Sequence, residues 1–403
     1  MSLLLRSATL ADNSIVDVAI SGDTIVWIGN SGSYEEECKE SLDLHGYVLT
    51  SSFVEPHAHL DKAFLADRVH NPDGDLMGAI RGLHDVRNTI TLEDTIVRAI
   101  RAVELMSRNG VTAIRTHADT TLDAGLTSIH ALQKVKSACS HFMDIRIAML
   151  LEWPISGMEG ADHRALARDA IDSGVDVIGG CPHLDPDPHG AIDYLLGLAL
   201  ETGLPLDLHA DENLRPTSND LEYLAEVMSI DNIEHQVAAS HCVSLSTRSE
   251  NDIRIISDKV ASAGISVISL PQTNLFLQGR NTDRHVPRAI TPITALRKAG
   301  VLVAAGADNL QDPFNLMGRG DPLEIASLLI TASHLNPDVA HSLVSTHASS
   351  VILNQPAGVA VGMKANLVAV KATTLRESIA MGPPDRHVVY GGVVIDDQFR
   401  NRK

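Results

Sequence analysis

Tyr47-Val48-Leu49-Thr50-Ser51-Ser52-Phe53-Val54-Glu55-Pro56-His57-Ala58-His59-Leu60-Asp61-Lys62 is the stretch on which the fold turns. Residues 47–54 are apolar and poor in turn formers, which predicts a buried strand that delivers two imidazoles at its C-terminal end. Side chains at i and i+2 of a strand point the same way. His57 and His59 therefore converge on one point, as two ligands of a single metal ion must. With 19 histidines in 403 residues, one His-x-His pair is weak by itself. Its weight comes from what the other strand ends supply.

Outward from this stretch the pattern becomes strand, loop, helix, repeated to about residue 353. Apolar runs predict strands at 47–54, 111–117, 144–152, 175–180, 204–209, 237–241, 265–270 and 301–307. Thr91-Leu92-Glu93-Asp94 opens a helical pattern that ends at Asn109-Gly110, and another helix is expected at 219–228. Asp172-Ser173-Gly174 and Lys298-Ala299-Gly300 are helix stops placed just before strands. Eight strands alternating with helices imply an α/β chain with a (β/α)8 TIM-type barrel, whose reactive groups gather at the C-terminal strand ends. Residues 63–90 form a longer connection after the first strand, in the right place for an active-site lid. The two chain ends differ from the middle. Short alternating runs at 3–10, 16–20, 24–29, 366–370 and 387–395 predict strands that fold together as a small β-sandwich-like domain. The expected division is 1–48 and 358–403 for that domain and 49–357 for a metal-dependent catalytic barrel.

On this scaffold the polar residues collect at one rim. Strand 1 ends in His57 and His59, strand 5 in His209-Ala210-Asp211-Glu212, strand 6 in Ser240-His241 and strand 8 in Gly306-Ala307-Asp308-Asn309. Each has an ordinary explanation alone. A lone His209 or His241 is more often a hydrogen-bonded core histidine, and Asp308 is a good N-cap before Leu310. Together, His57, His59, His209 and Asp308, with His241 beside them, make a donor set suited to one catalytic Zn2+ or Fe2+. Such an ion lowers the pKa of its bound water to about 7. Asp308 is then placed to take the proton of the attacking water, and His241 to orient the hydroxide. Glu212 stands near the metal without needing to bind it, which suits a general acid/base; an N-cap or surface carboxylate is its ordinary alternative.

Composition narrows the partners. A formal net charge of −19 argues against nucleic acid and anionic membranes, both of which require clustered Lys and Arg. No apolar run approaches the roughly 20 residues of a membrane span. Ser2-Leu3-Leu4-Leu5-Arg6 shows neither a basic n-region nor a cleavage site, so no secretory signal is expected and a cytoplasmic location is. Cys38, Cys139, Cys181 and Cys242 are scattered, in keeping with a reducing compartment. The chain lacks His-Glu-x-x-His and the His-x-Glu with Pro-Cys-x-x-Cys pattern, which removes zincin proteases and zinc deaminases of the nucleoside type. The expected partner is a small heterocyclic substrate, and a homo-oligomer stays open.

Phe53-Val54-Glu55-Pro56-His57-Ala58-His59-Leu60-Asp61, Arg115-Thr116-His117-Ala118-Asp119, His209-Ala210-Asp211-Glu212, Ala239-Ser240-His241 and Leu277-Gln278-Gly279-Arg280 resemble the cytosine deaminase branch of the amidohydrolase superfamily. With Asp61-Lys62 and Asp308-Asn309 they also resemble the N-isopropylammelide amidohydrolases that work on s-triazines. The resemblance covers nearly the whole chain. It implies a single divalent ion at His57, His59, His209 and Asp308, with Glu212 as proton shuttle and His241 beside the hydroxide. Binuclear relatives carry a carbamylated lysine after strand 4, and residues 175–183 contain none. Substrate contacts are expected from Lys62, Trp153, Ile155, Gln278, Asn309 and Phe314.

Two of these depart from the cytosine deaminase pattern. Ile155 stands where a glutamine reads the pyrimidine's amide edge, and isoleucine neither donates nor accepts. Asn309 replaces an aspartate, as in the triazine enzymes. Both changes disfavour cytosine itself. Trp153 and Phe314 either sandwich a flat ring or pack the barrel; Lys62 either contacts substrate or pairs with Asp61. The expected activity is hydrolytic deamination at a C–N bond of a small nitrogen heterocycle. The alternatives are cleavage of a cyclic amide or urea and release of a substituted amine from an s-triazine.

Overall fold

Eight parallel strands form the middle of the chain: β1 (Phe53–Ala58), β2 (Val111–Thr120), β3 (Asp144–Leu151), β4 (Ile178–Gly180), β5 (Leu206–Ala210), β6 (Val237–His241), β7 (Ser266–Ser269) and β8 (Val303–Ala305). The computed structural model describes residues 2–281 and 283–396, so residue 1 and residues 397–403 of the two end segments lie outside the described residues. Helices follow most strands and cover the barrel's outside, with apolar residues such as Ile129, Leu132, Leu195 and Leu224 buried against it. Among the described residues no helix is long and apolar enough to cross a membrane.

The ring closes between β1 and β8 through a short seam. Asp308 N donates to His57 O at 3.1 Å and His59 N donates to Asp308 O at 3.2 Å. Glu55 reinforces it from inside: its buried carboxylate accepts from Ala307 N at 3.0 and 3.1 Å and from His57 N at 3.2 Å. Burial pushes the Glu55 carboxyl up to about 8. A Cβ at position 306 would overlap Glu55 Oε1, so the glycine there makes room for the bridge.

The expected strand 47–54 is two strands in two sheets. Tyr47–Ser51 pairs antiparallel with Leu367–Lys371, Leu49 opposite Ala369, and meets Ser2–Thr9 in parallel at Thr9 and Val48. It belongs to a mixed eight-stranded sheet built from both chain ends, which also holds Ile15–Ser21, Thr24–Asn30, Glu40–Asp43, Arg386–Tyr390 and Val393–Ile395. The chain changes sheets at Ser52, whose N–H goes to Asn366 O while its hydroxyl meets Thr112 Oγ1 at 2.6 Å. His57 consequently lies inside β1 and His59 just beyond it.

Residues 63–90 are not a plain loop. They carry helix α1 (Leu76–Val86), capped by Asp75, whose carboxylate accepts from Gly78 N at 2.7 Å. The next helix, α2 (Leu92–Arg108), opens where Thr91 accepts from Asp94 N. Its buried Arg98 donates to the carbonyls of Asp61 and Ala63, both at 2.8 Å, and so pins the turn that follows the His-x-His pair.

Candidate active site

The strand ends bring four donors together. His209 Nε2 lies 3.1 Å from His57 Nε2 and 3.3 Å from His59 Nε2, and Asp308 Oδ1 lies 3.2 Å from His59 Nε2 and 3.8 Å from His57 Nε2. Ligands about 2.0–2.1 Å from a tetrahedral ion stand roughly 3.3–3.4 Å apart, so the spacing fits one. Burial, then the neighbouring imidazoles and Lys62, hold the pKa values of His57, His59 and His209 well below the usual value, so the rings are neutral. Neither Asp308 oxygen has a hydrogen-bond partner among the described residues, and the adjacent Thr273 hydroxyl donates to Asn309 Oδ1 instead. Buried lone pairs this close, with an unpaired carboxylate, are costly unless a cation lies among them. The donor set fits a divalent metal.

Behind the ligands a buried network fixes one tautomer. Ser240 Oγ donates to Asp207 Oδ1 at 2.8 Å and lies 2.9 Å from His57 Nδ1. A carboxylate only accepts, so the single hydroxyl hydrogen goes to Asp207 and His57 must donate from Nδ1. That leaves the Nε2 lone pair aimed at His209. Burial opposes ionisation of Asp207, but His117 at 3.3 Å, Arg115 at 3.0 Å and Ser240 together bring its pKa down to about 2. Arg115 and His117 come from β2, where alternate residues share a face, and the His117 ring stacks on His57 at 4.0 Å.

Three site residues carry left-handed backbone: Asp211 (φ 55), His241 (φ 71) and Asp308 (φ 66). For non-glycine residues this costs about 1–3 kcal/mol each and persists only where surroundings enforce it. They do. Cys242 N donates to Ala210 O, Val243 N and Ser244 N donate to Asp211 O, and the Thr291 hydroxyl donates to His241 O. The kink at Asp211 brings Glu212 into the cavity, with Oε1 3.6 Å from His241 Nδ1. Burial and the nearby Asp308 raise the Glu212 carboxyl well above the usual range, and burial lowers His241 to about 4.

The cavity above these groups has a polar floor and apolar walls. Leu76, Ile80 and Leu83 of α1 line it, as do Trp153, Leu184 and Phe314. Lys62 and Asn309 reach it too; Lys62 lies 2.6 Å from Asp119 and 3.4 Å from Asp61, so Asp119 is its closer partner. Gln278 lies farther out, in an adjoining cavity shared with Trp153 and Glu212, where its amide donates to Glu212 O at 3.1 Å.

Ile155 is elsewhere. Its side chain is wholly buried in the barrel core against Gly180, and its N–H goes to Asp185 Oδ2 at 2.6 Å, so it is not a lining residue. The sequence reading assigned no role to Glu55, Asp207, Asp119, Arg87 or Glu152. Glu55 and Asp119 stood in quoted motifs, and Glu152 could have been found from its place at the end of the third strand.

The chain is 30% identical over 387 residues to a pterin deaminase of Rhizobium rhizogenes, covering 94% of this chain and 87% of that protein. Its structure superposes on 5-methylcytosine deaminase from Klebsiella pneumoniae, liganded with 5-fluorocytosine, with a TM-score of 0.89, 28% identity and coverage of 98% and 97%. N-isopropylammelide isopropylaminohydrolase from Burkholderia multivorans gives a TM-score of 0.86 at 26% identity, with 98% of each chain covered. Residues 67–398 match the sequence model of the amidohydrolase family, hydrolases of C–N bonds, and the chain belongs to that family.

Proposed function

We propose that the chain is a metal-dependent hydrolytic deaminase of a small amino-substituted nitrogen heterocycle, with one Zn2+ or Fe2+ held by His57, His59, His209 and Asp308. The observation that carries this reading is Glu212, a buried carboxyl with a raised pKa that opens into a cavity walled by Trp153 and Phe314. A cation in this donor set would supply hydroxide from water at neutral pH.

The protein's own groups do the rest. His241 presents Nε2, which has no partner among the described residues, to orient the attacking water. Asp308 accepts the proton that water gives up. Glu212 protonates the ring nitrogen beside the carbon under attack, takes up the proton that Asp308 received and passes it to the departing amine, and recovers the hydroxyl proton left on the carbon as the carbonyl forms. The C–N bond breaks, ammonia leaves, and a ring carbonyl remains. The two deaminase relatives support this direction of chemistry, while the isopropylammelide enzyme supports loss of a substituted amine from the same kind of ring.

The test is ammonia release by metal-loaded protein across cytosine, isocytosine, aminotriazines and pterins, with Glu212→Gln alongside. Turnover of one ring, lost by about 10²–10⁴-fold in Glu212→Gln with metal content unchanged, is the expected result. Silence across the panel with one metal per chain would move the assignment to cyclic amide cleavage. Near-normal turnover in the variant would remove Glu212 from the proton path.

A further inference from the structure

The reacting carbon is served by the groups above, but something must also hold the rest of the ring. Ile155 lies in the core and offers nothing. Most polar side chains on the cavity wall are already occupied. Lys62 and Asp119 are joined at 2.6 Å. Asn309 donates to Asp312 Oδ2 at 2.8 Å and accepts from Thr273 at 3.3 Å. The Thr121 hydroxyl donates to Asp123 Oδ1 at 2.7 Å.

Arg87 and Glu152 stand apart. Arg87 follows α1 and uses Nη1 on Asp123 Oδ1 at 2.7 Å; among the described residues its Nε and Nη2 meet no acceptor. Glu152, just past β3, has Arg87 Nη1 at 3.7 Å and His163 Nε2 at 3.8 Å, and its carboxylate takes no hydrogen bond among the described residues. Both line the catalytic cavity beside Trp153. They set a spare donor next to a spare acceptor. That pattern is complementary to a carbonyl beside an N–H, the edge of a cis-amide within a ring.

We propose that Arg87 and Glu152 determine specificity by reading a ring lactam, so that the preferred substrates are amino-heterocycles carrying an oxo group next to a ring N–H. This deepens the deaminase reading and rests on it. A ring lacking that edge leaves Arg87 Nε and Nη2 and the Glu152 carboxylate without hydrogen-bond partners inside the cavity, which is how a polar site rejects an analogue.

Pterin and isocytosine carry the edge; 2-aminopyrimidine and melamine do not. The experiment measures kcat and KM for ammonia release from all four, using metal-loaded wild type and the variants Arg87→Leu, Glu152→Leu and Glu152→Gln. Calorimetry with lumazine and uracil, lactam rings without the amine, measures binding alone. The leucine variants should raise KM and the dissociation constants of lactam rings about 10- to 100-fold. Metal content and kcat should stay near wild type, and Glu152→Gln, which keeps an acceptor, should recover most of the loss. Losses shared equally by rings without a lactam would make the pair structural and overturn the inference, as would unchanged constants. If wild type releases ammonia from none of these rings nor from cytosine and the other aminotriazines and pterins of the panel above, the deaminase reading fails. Lumazine and uracil binding then still decides the pair, and a wild type that binds neither overturns it.

Discussion

Ser240 has one hydrogen and two neighbours placed to bond with it, and the choice between them sets which nitrogen of His57 keeps a lone pair toward His209 and the proposed metal position. Because Asp207 is an ionised acceptor, the hydrogen is committed and His57 presents a lone pair forward. Ser240→Ala should therefore weaken metal binding about 10- to 100-fold by chelator competition. Equal affinity in the variant would show that the tautomer is set elsewhere.

A second buried group has a pH signature. Asp220 lies against Asp211, whose carboxylate accepts from Ser218 Oγ, Asp220 N and Leu221 N. Burial, then the Asp211 charge, pushes Asp220 up to about 7. Its folded pKa exceeds the unfolded value, so this stabilising proton is present at acid pH and lost as pH rises from about 4 through 7. Stability should fall across that window by on the order of 2 kcal/mol, and Asp220→Asn should flatten the loss. Urea titrations at pH 5 and pH 8 compare the two proteins; parallel declines would contradict the assignment.

Among the elements, the β1–β8 seam matters most to the site, because it joins the strands that carry His57, His59 and Asp308. Glu55 bridges it with backbone hydrogen bonds and is itself no ligand. Glu55→Ala should leave Ala307 N–H unpaired and loosen the ligand geometry. Metal affinity should drop about tenfold or more and stability by about 1–3 kcal/mol, measured by chelator titration and thermal unfolding. A variant with lowered stability and unchanged metal affinity would confine Glu55 to a packing role.

The elements also show what was readable in the sequence. The alternation of strands and helices was plain, and so were the strand-end His and Asp residues, because a strand's terminus and its polar punctuation are local signals. The break at Ser52 was not: 47–51 and 53–58 are buried in different sheets, and periodicity does not report which sheet buries a strand. Helix α1 was hidden by Gly78 and Gly82, which lower helix propensity in a segment stabilised by packing against Leu65, Val69 and Phe314. Ile155 was assigned by position along a loop, and a loop's direction depends on long-range partners such as Asp185.

Across the whole molecule, the end sheet and the barrel are tied by a nearly buried ion pair. Arg386 donates to both oxygens of Asp321, at 2.9 and 2.7 Å, and to Asn109 O at 2.7 Å. Asp321 also caps the helix Pro322–Ser333. Removing one partner of such a pair is expensive, so Arg386→Ala should cost about 3 kcal/mol by denaturant unfolding. A loss below about 0.5 kcal/mol would mean that the pair only breaks even with its solvation.

The seam also sets an order of events during synthesis. His57 and His59 leave the ribosome early, His209 midway, and Asp308 only when most of the chain has been made. The strand Tyr47–Ser51, just before the one that delivers His57 and His59, is paired by Leu367–Lys371, which emerges later still. A nascent chain therefore carries two imidazoles without their partners across the ring, and the four-donor cluster forms only once the eighth strand and the returning end strands have been made. A chain stopped before residue 308 lacks one of the four donors and the seam that sets their spacing, so it should hold metal far more weakly than the folded protein.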